Sequence, residues 1–430
     1  MKKTFYIYSF GCRVNEAEKV HMEIQLRENG FKEDRDNPSI ALINTCAVTA
    51  KAEREARQLI YKLKKDNVQK IIITGCSATY WLQTKTHQNL PVDLVIENLN
   101  KEFTVDLILK RFFEYSNIKK NNAGNYVPVS QDKFIQSGRL MIKIQDGCHR
   151  FCSYCIVPYL RGKAASESIV NLQSQIKDYK GKVNEIIFTA INTESFGQDT
   201  GESLTELIQN TLDTTNIPRI SFGSIHPWSI TSEFLKWYKN LKQKDRFVHF
   251  FHIPLQSGTD KTLSLMKRGY TTDEFLWKIN EIKKINPLAF IATDVIVGFL
   301  DESDSDFQTT YSFLEKSPIS KFHVFRFSKR EKTAAFYMAK RLKEPTDEAK
   351  KKRSKALIEL SNQKYKTFLE NNVGRTSSAL FIGNVKDGFQ EALLDNQIPV
   401  LVKTPRNLNG KIQNIKTTHI SNNIFYGEIK

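Results

Sequence analysis

Three cysteines stand close together in the segment Asp146–Cys155, DGCHRFCSYC. They are Cys148, Cys152 and Cys155, spaced C-x3-C-x2-C. Thiolates crowded onto one short loop wrap a single inorganic centre. A four-iron four-sulfur cluster has four iron corners, so three cysteines leave one iron free for a small ligand. A ferredoxin loop would supply a fourth cysteine, and this loop has none. The spacing therefore indicates a ligand-binding cluster.

Two other interpretations of these cysteines stay open on spacing alone. A Cys3His zinc site would recruit His149 or a distant histidine. Alternatively, the thiols are unrelated to one another and are buried as small hydrophobic side chains.

The N-terminal third repeats one unit, in which a strand ends at a cysteine and a helix follows. Predicted strands at Phe5–Phe10, Ile40–Asn44 and Lys70–Thr74 lead to Cys12, Cys46 and Cys76. Asn15 and Thr49 are the predicted caps of the helices after the first two strands. Strands that alternate with helices form a parallel sheet whose carboxyl ends share one edge. We therefore expect these three cysteines to converge as a second metal centre, with buried structural thiols as the alternative.

Composition limits the class of protein. The chain has 430 residues, 40% of them hydrophobic, which suits a soluble globular protein with two or three domains. The net charge of +17 favours a polyanionic partner such as nucleic acid. The start MKKTFYIYSF lacks the features of an export signal, and no stretch is apolar enough to span a membrane. We expect a cytoplasmic protein whose six cysteines are reduced metal ligands.

The flanking residues resemble a known family. The segment KIQDGCHRFCSYCIVPYLRG, residues 143–162, is similar to the cluster loop of the radical S-adenosylmethionine (SAM) methylthiotransferases. FGCRVNEAE, INTCAVTAKAEREARQ and TGCSA resemble the three-cysteine N-terminal domain of that family. Within the family, Cys-Arg-Val-Asn at 12–15 and NTCAVTAKAE at 44–53 are most similar to threonylcarbamoyladenosine tRNA methylthiotransferases.

The middle of the chain predicts a partial (β/α)6 barrel, the radical-SAM core, with its chemistry at the carboxyl ends of the strands. Six strands are predicted, at Leu140–Ile144, Glu185–Thr189, Arg219–Phe222, Val248–Ile253, Phe290–Val297 and His323–Phe327. The resemblance of HIPLQSGTDKTLSLMKRGY, residues 252–270, to the family implies that Gln256, Ser257 and Arg268 contact SAM. Tyr154 would flank the SAM adenine, and Gly298 is a further candidate. Gly-Phe-Leu-Asp-Glu-Ser at 298–303 departs from the family's Gly-Phe-Pro-Gly-Glu-Thr.

The C-terminal part predicts a long amphipathic helix over Glu344–Asn371, then short strands that fit a small β-barrel. That barrel resembles the RNA-binding TRAM domain, on which Lys386, Lys403, Arg406 and Lys411 would follow phosphates. The predicted fold class is α/β, and the predicted domains are a doubly wound parallel-sheet domain (1–115), a linker (116–137), the radical-SAM core (138–370) and a TRAM-like barrel (371–430).

The resemblance implies a complete function. The chain would methylthiolate carbon-2 of N6-threonylcarbamoyladenosine beside the anticodon of tRNA, with SAM as both radical source and methyl donor. The cofactors would be two 4Fe-4S clusters and SAM: one cluster on the catalytic Cys148, Cys152 and Cys155, the other on Cys12, Cys46 and Cys76. The expected partners are tRNA and an electron donor such as a flavodoxin or ferredoxin, with no membrane, and we expect a monomer. The alternatives are isopentenyladenosine tRNA or a ribosomal protein as substrate, or a non-catalytic zinc or Fe–S RNA-binding protein.

Overall fold

The computed structural model describes residues 2–113, 137–422 and 424–430, and these form two compact units. The first unit holds the N-terminal third together with Gln145–Phe151 and Cys155–Ala165. The second holds Cys152–Tyr154, Ser166–Lys430 and the described residues just before position 145. The predicted linker, residues 116–137, lies outside the described residues apart from position 137.

The N-terminal third is a parallel sheet in the order β2-β1-β3-β4-β5. The three strands predicted to lead to cysteines are its centre, and β2 is a short edge strand that the sequence did not predict. The elements are β1 (Thr4–Ser9), α1 (Arg13–Glu28), β2 (Lys32–Glu33), β3 (Ile40–Thr45), α2 (Ala50–Lys65), β4 (Lys70–Gly75), α3 (Cys76–Gln83), β5 (Leu94–Val95) and α4 (Thr104–Phe112).

Helices cover both faces of this sheet, as a doubly wound fold requires. Ile40 and Leu42 of β3 point to one face, where Met22 and Leu26 of α1 and Ile108 of α4 complete a core. The alternate residues of the same strand point to the other face, against α2 and α3; that core includes Ala41, Ile43, Ala56, Ile60 and Trp81. Because side chains alternate along a strand, a strand buried on both faces is apolar throughout.

The first two helices differ in how they begin. Thr49 caps α2 as predicted, and its hydroxyl accepts a hydrogen bond from Ala52 N. The prediction that Asn15 caps α1 is wrong, because α1 begins at Arg13, with Cys12 as its N-cap. Asn15 is instead fully buried, and its amide donates to Phe10 O and Thr45 O. It therefore joins the ends of two strands.

Residues 139–370 contain all six predicted strands, divided between two sheets in the orders β7-β6-β8-β9 and β10-β11-β12. One parallel bridge, Ile220 to Phe247, links β9 to the segment before β10. The elements are β6 (Arg139–Asp146), α5 (Val157–Arg161), β7 (Ala165–Ser166), α6 (Ile169–Lys177), β8 (Glu185–Ala190), α7 (Leu204–Thr214), β9 (Arg219–Phe222), α8 (Ser232–Asn240), β10 (Phe250–His252), α9 (Asp260–Leu265), α10 (Thr272–Ile285), β11 (Phe290–Val297), α11 (Asp304–Lys316), β12 (Lys321–Arg326), α12 (Ala334–Met338) and α13 (Asp347–Glu370).

The predicted long helix is α13, with 24 residues. Leu357, Leu360 and Phe368 are buried on its apolar side, whereas its other side is rich in lysine. Charge along the helix suits a partly solvated position at the protein surface. Within the described ranges, we find no helix with the length and apolar content needed to cross a bilayer.

The C-terminal residues close into a five-stranded barrel in the order β13-β14-β15-β17-β16. Its strands are β13 (Thr376–Lys386), β14 (Phe389–Leu394), β15 (Pro399–Lys403), β16 (Ile412–Ser421) and β17 (Ile424–Ile429). Alternate residues such as Phe381, Val400, Val402 and Ile415 fill the interior. Closure leaves no unpaired sheet edge, which a small isolated sheet would expose.

This barrel packs against the amino ends of the core strands, within the second unit. Glu185, the first residue of β8, is completely buried, and its carboxylate accepts from Arg139 Nε at 3.0 Å and from the Gln397 amide of the barrel. Arg219 Nε lies 3.6 Å from the same carboxylate, and its Nη2 donates to Leu394 O. The carboxyl ends of the strands stay at the opposite edge.

We expect Glu185→Gln to destabilise the second unit by about 3 kcal/mol, because it leaves the buried Arg219 guanidinium without its counter-charge. Glu391→Gln is the matched control, since Glu391 is exposed on β14. Urea unfolding followed by far-UV circular dichroism compares the two variants. Equal midpoints would show that Glu185 does not hold the barrel to the core.

Candidate functional site

Three cysteines lie at the carboxyl edge of the N-terminal sheet. Cys12 follows β1 and caps α1, Cys46 follows β3 directly, and Cys76 follows β4 and begins α3. Cys46 and Cys76 are buried, whereas Cys12 is partly exposed. The strands are parallel and in register, so the three cysteines follow strand ends that lie level at one edge of the sheet.

Two glycines allow the chain to pass this close to the thiols. A β-carbon added at Gly11, where φ is +93°, would lie 2.3 Å from Cys46 Sγ. A β-carbon at Gly75, where φ is +95°, would lie 2.3 Å from Thr45 O. Each glycine directly precedes a cysteine, and both its left-handed backbone and the lack of space exclude other residues.

The thiols of this edge affect one another electrostatically. Burial, together with smaller effects of the neighbouring Cys76 and Cys12, raises the pKa of Cys46 to about 12. Burial also raises the pKa of Cys12, against the lowering effect of Arg161. In the metal-free chain both thiols are therefore protonated at neutral pH. Metal binding would release those protons, as it does for other thiolate ligands.

Polar groups surround Cys76 in particular. Its Sγ accepts from Arg161 Nε at 3.4 Å and from Asn98 Nδ2 at 3.4 Å. Arg161 is itself buried, and it pairs with Glu18 and Asp146. Burial alone would lower the pKa of Arg161, but Glu18, Cys76 and Asp146 together raise it. Sequence reasoning missed Arg161, Asn98 and Glu18; Arg161 lies inside the segment at 143–162 that carried the resemblance.

Three thiols at one sheet edge are a donor set that an iron–sulfur cluster can use. Over the described ranges, no three His, Cys, Asp or Glu side chains meet around a point as ligands of one metal ion. A single zinc ion needs all its ligands at about 2.0–2.3 Å from one centre. A cluster instead offers each thiolate its own iron, so neighbouring thiols need not converge on one point.

The second cysteine triplet lies on the loop after β6, and the boundary between the two units passes through that loop. Cys148 and Cys155 belong to the first unit and Cys152 to the second. Cys148 N donates to Gly162 O at 3.2 Å, and Arg150 N donates to Cys148 Sγ at 3.5 Å. The loop with all three thiols follows the carboxyl end of β6, the position predicted from the sequence.

The short segment Cys152–Tyr154 is fixed from several sides within the second unit. Ser153 N donates to Met266 O, and Ala335 N donates to Ser153 O. Arg268 Nη1 lies 3.3 Å from Cys152 Sγ and 3.4 Å from the Tyr154 hydroxyl.

Arg268 is buried against aromatic side chains and a backbone carbonyl. Its guanidinium stacks on Trp228 at 4.5 Å, while Nε donates to Tyr270 Oη and Nη2 to Pro254 O. Burial opposes its charge, but Tyr154, Tyr270 and Cys152 raise its pKa. Arg268 therefore holds the cysteine loop as well as lying among the residues predicted to contact SAM.

The other predicted SAM contacts lie at the ends of the core strands. Gln256 follows β10 with φ of +78°, and its backbone pairs with Asp294 and Ile296 of β11. A non-glycine residue held at positive φ is strained, and such strain concentrates at functional sites. The neighbouring Ser257 is buried, and its hydroxyl accepts from Thr259 N.

Gly298 lies against α13. A β-carbon there would be 2.3 Å from Lys350 Cγ, and its own N–H donates to Glu302 Oε1 at 2.9 Å. Arg353 Nη1 donates to the same Glu302 oxygen at 2.6 Å. Glu302 is retained within the Gly-Phe-Leu-Asp-Glu-Ser segment, so the bridge from this loop to α13 does not need the family's second glycine.

A chain of polar side chains crosses neighbouring strands of the core, and sequence reasoning did not connect it. Ser224 Oγ lies 3.0 Å from His252 Nδ1, and His252 Nε2 lies 3.0 Å from Asp294 Oδ1. The His323 ring lies 6.1 Å from the His252 ring. His252 was visible in the sequence as the first residue of the segment 252–270, but its partners lie on other strands.

Comparison with protein-family models gives two matches. Residues 142–314 match the radical SAM superfamily. Residues 4–97 match a family described as uncharacterized protein family UPF0004. The first match covers the loop with Cys148, Cys152 and Cys155, and the second covers the sheet with Cys12, Cys46 and Cys76.

Curated relatives cover most of the chain. A threonylcarbamoyladenosine tRNA methylthiotransferase MtaB of Aquifex aeolicus is 33% identical, over 87% of this chain and 92% of that protein. The MtaB of Bacillus subtilis is 32% identical, over 96% and 93%. A tRNA-2-methylthio-N(6)-dimethylallyladenosine synthase of Petrotoga mobilis is 31% identical, over 99% and 98%. Identity at this level over nearly whole chains shows that this protein belongs to the radical-SAM methylthiotransferase family.

Proposed function

We propose that the protein methylthiolates carbon-2 of N6-threonylcarbamoyladenosine next to the anticodon of tRNA, with SAM as radical source and methyl donor. Family membership implies one 4Fe-4S cluster and SAM. The observation that carries the proposal further is the gathering of Cys12, Cys46 and Cys76 at one sheet edge, which supports a second cluster. An enzyme that only cleaved SAM would not need it.

Both cysteine triplets suit three-thiolate clusters with an open iron. When bound, a cluster on Cys148, Cys152 and Cys155 supplies the electron that cleaves SAM, and one on Cys12, Cys46 and Cys76 supplies a place for sulfur. An aromatic C–H bond is too inert for side-chain acids and bases, which is why a cofactor must carry that step.

Residues of the chain itself are proposed to bind SAM and to orient the cysteine loop. Arg268 fixes Cys152 and Tyr154, and Tyr154 is proposed to flank the SAM adenine. Gln256, Ser257, Arg268 and Gly298 are proposed to contact SAM beyond the ends of the core strands. His252 is held between Ser224 and Asp294, so both ring nitrogens are already in use and its ring is fixed.

The closed barrel is proposed to bind tRNA as a TRAM-like domain. Lys386, Lys403, Arg406 and Lys411 are all exposed on it. An aromatic strip lies on the same outer surface: the His419 and Tyr426 rings stack at 4.9 Å, and Phe389 meets Tyr426 edge-on at 5.8 Å. Lys403 pairs with Phe389 in the sheet register. Aromatic rings beside cations form a surface on which unpaired bases stack.

The remaining partners follow from the chemistry. Reduction of the clusters needs an external electron donor, for which we propose a flavodoxin or ferredoxin. We propose that the protein acts in the cytoplasm as a monomer.

Dimethylallyladenosine tRNA is the second candidate substrate. The Petrotoga mobilis relative with that name matches 99% of this chain, against 87% for the Aquifex aeolicus relative. Assay of the reconstituted protein on tRNAs that carry one or the other modified adenine separates the two. The proposal requires the threonylcarbamoyl form to be the one converted.

Replacing Cys12, Cys46 and Cys76 together by alanine is expected to abolish methylthio transfer while SAM cleavage continues, because SAM binds at the other triplet. Mass spectrometry of tRNA nucleosides and of released 5′-deoxyadenosine measures the two activities. The matched control replaces Cys148, Cys152 and Cys155, and it should lose both. Transfer that survives the first substitution would refute the second cluster's role.

Replacing His419 and Tyr426 together by alanine is expected to weaken tRNA binding roughly tenfold, because stacking of one base is worth about 1–3 kcal/mol. Lys403→Ala should weaken binding and make it less sensitive to salt, as the loss of a phosphate contact does. Lys366→Ala on the exposed side of α13 is the control. Filter binding at several salt concentrations tests both effects; unchanged affinity would remove this face from the interface.

A further inference from the structure

We propose that Arg161 is a positioning residue shared by the two cysteine triplets: it holds the Cys76 sulfur directly and fixes the backbone that leads into Cys148. The inference rests on the proposed function, in which Cys76 ligates the N-terminal cluster. Every residue in the argument belongs to the first unit.

The Arg161 guanidinium uses all three of its nitrogens in the interior. Its side chain is 1% exposed. Nε donates to Cys76 Sγ at 3.4 Å, Nη2 to Asn15 Oδ1 at 2.9 Å and Nη1 to Glu18 Oε1 at 2.9 Å. Arginine is the only side chain with this planar fork of donors, so a lysine here would give up at least part of the set.

The same guanidinium reaches the start of the cluster loop. Nη1 also donates to Asp146 Oδ1 at 2.8 Å, and that oxygen accepts from Gly147 N at 2.8 Å. Cys148 N donates to Gly162 O, in the residue after Arg161. A β-carbon at Gly147 would lie 1.9 Å from Lys163 O, so the loop is pressed against residues 161–163. Contacts with residues 161–163 therefore fix the backbone of Asp146, Gly147 and Cys148.

A second donor to Cys76 is held from the same segment. Asn98 Nδ2 lies 3.4 Å from Cys76 Sγ and 3.1 Å from Leu160 O. Its Oδ1 faces Lys101 Nζ, which pairs with Glu18. The two carboxylates, Glu18 and Asp146, are therefore balanced by Arg161 and Lys101. In addition to these pairs, the arginine directs its Nε–H at the Cys76 sulfur.

A cationic N–H donor at a cluster's cysteine sulfur stabilises the more negative, reduced form of that cluster, and hydrogen bonds to sulfur are among the factors that set its potential. Loss of the Arg161 donor should therefore lower the reduction potential of the N-terminal cluster. A residue that served only to balance buried charge would leave the potential unchanged once that balance was restored.

The test uses the full chain with Cys148, Cys152 and Cys155 replaced by alanine, so that only the N-terminal cluster can form. EPR-monitored redox titration and iron and sulfide analysis follow anaerobic reconstitution. This parent is measured first: without iron and sulfide, the proposed second cluster itself is refuted, and the inference with it. With iron present, Arg161 is tested on its own.

Two variants carry the test in that parent. Arg161→Lys keeps the charge, and Arg161→Gln combined with Glu18→Gln restores charge balance without a cationic donor to Cys76, while the Asn98 N–H still faces that sulfur. Both are expected to retain the fold and to titrate at a lower potential than the parent, whereas Arg54→Gln, on the exposed side of α2, should titrate with the parent. A double variant that folds and titrates with the parent would overturn the inference.

Discussion

The parallel pairing of β1, β3 and β4 is the constraint on which the N-terminal site depends. Their register places Ser9 beside Asn44 and Thr45 beside Gly75, so the strands end level with one another. After each of these strands the backbone turns within a few residues, and a cysteine lies at each turn. Gly11 and Gly75 allow this crowding, and Asn15 ties two of the strand ends together.

Two buried arginines serve the cysteines in similar ways. Arg161 donates to Cys76 across 85 positions of sequence, and Arg268 donates to Cys152 across 116. In each case the guanidinium is also bound by groups that fix its plane: Glu18 and Asp146 for Arg161, and Trp228, Tyr270 and Pro254 for Arg268. A buried guanidinium is costly unless its N–H groups find partners, and these neighbours supply them.

Much of this organisation could be predicted from sequence because its signals are local. Strand, cysteine and helix follow one another in the chain, Thr49 lies next to the helix that it caps, and the apolar stripe of α13 has the helical period. The six strands of the core follow from similar short-range patterns. These features need no knowledge of which distant residues meet.

The errors and omissions concern contacts between distant residues. Asn15 has the residue type of a helix cap, but its side-chain amide instead donates to the carbonyl oxygens of Phe10 and Thr45. Nothing near Arg161 in the sequence indicates Glu18 or Cys76, and nothing near Glu185 indicates Gln397. The chain from Ser224 through His252 to Asp294 is likewise assembled from β10, β11 and the segment after β9. The barrel's place at the amino ends of the core strands also depends on such contacts.

The account's central claim is that one chain holds two clusters, one for each cysteine triplet. Anaerobic reconstitution followed by iron and acid-labile sulfide analysis tests it most directly. Two four-iron clusters predict about eight irons per chain, with matching sulfide. About four irons would leave only one triplet occupied, and zinc without sulfide would contradict cluster binding at both.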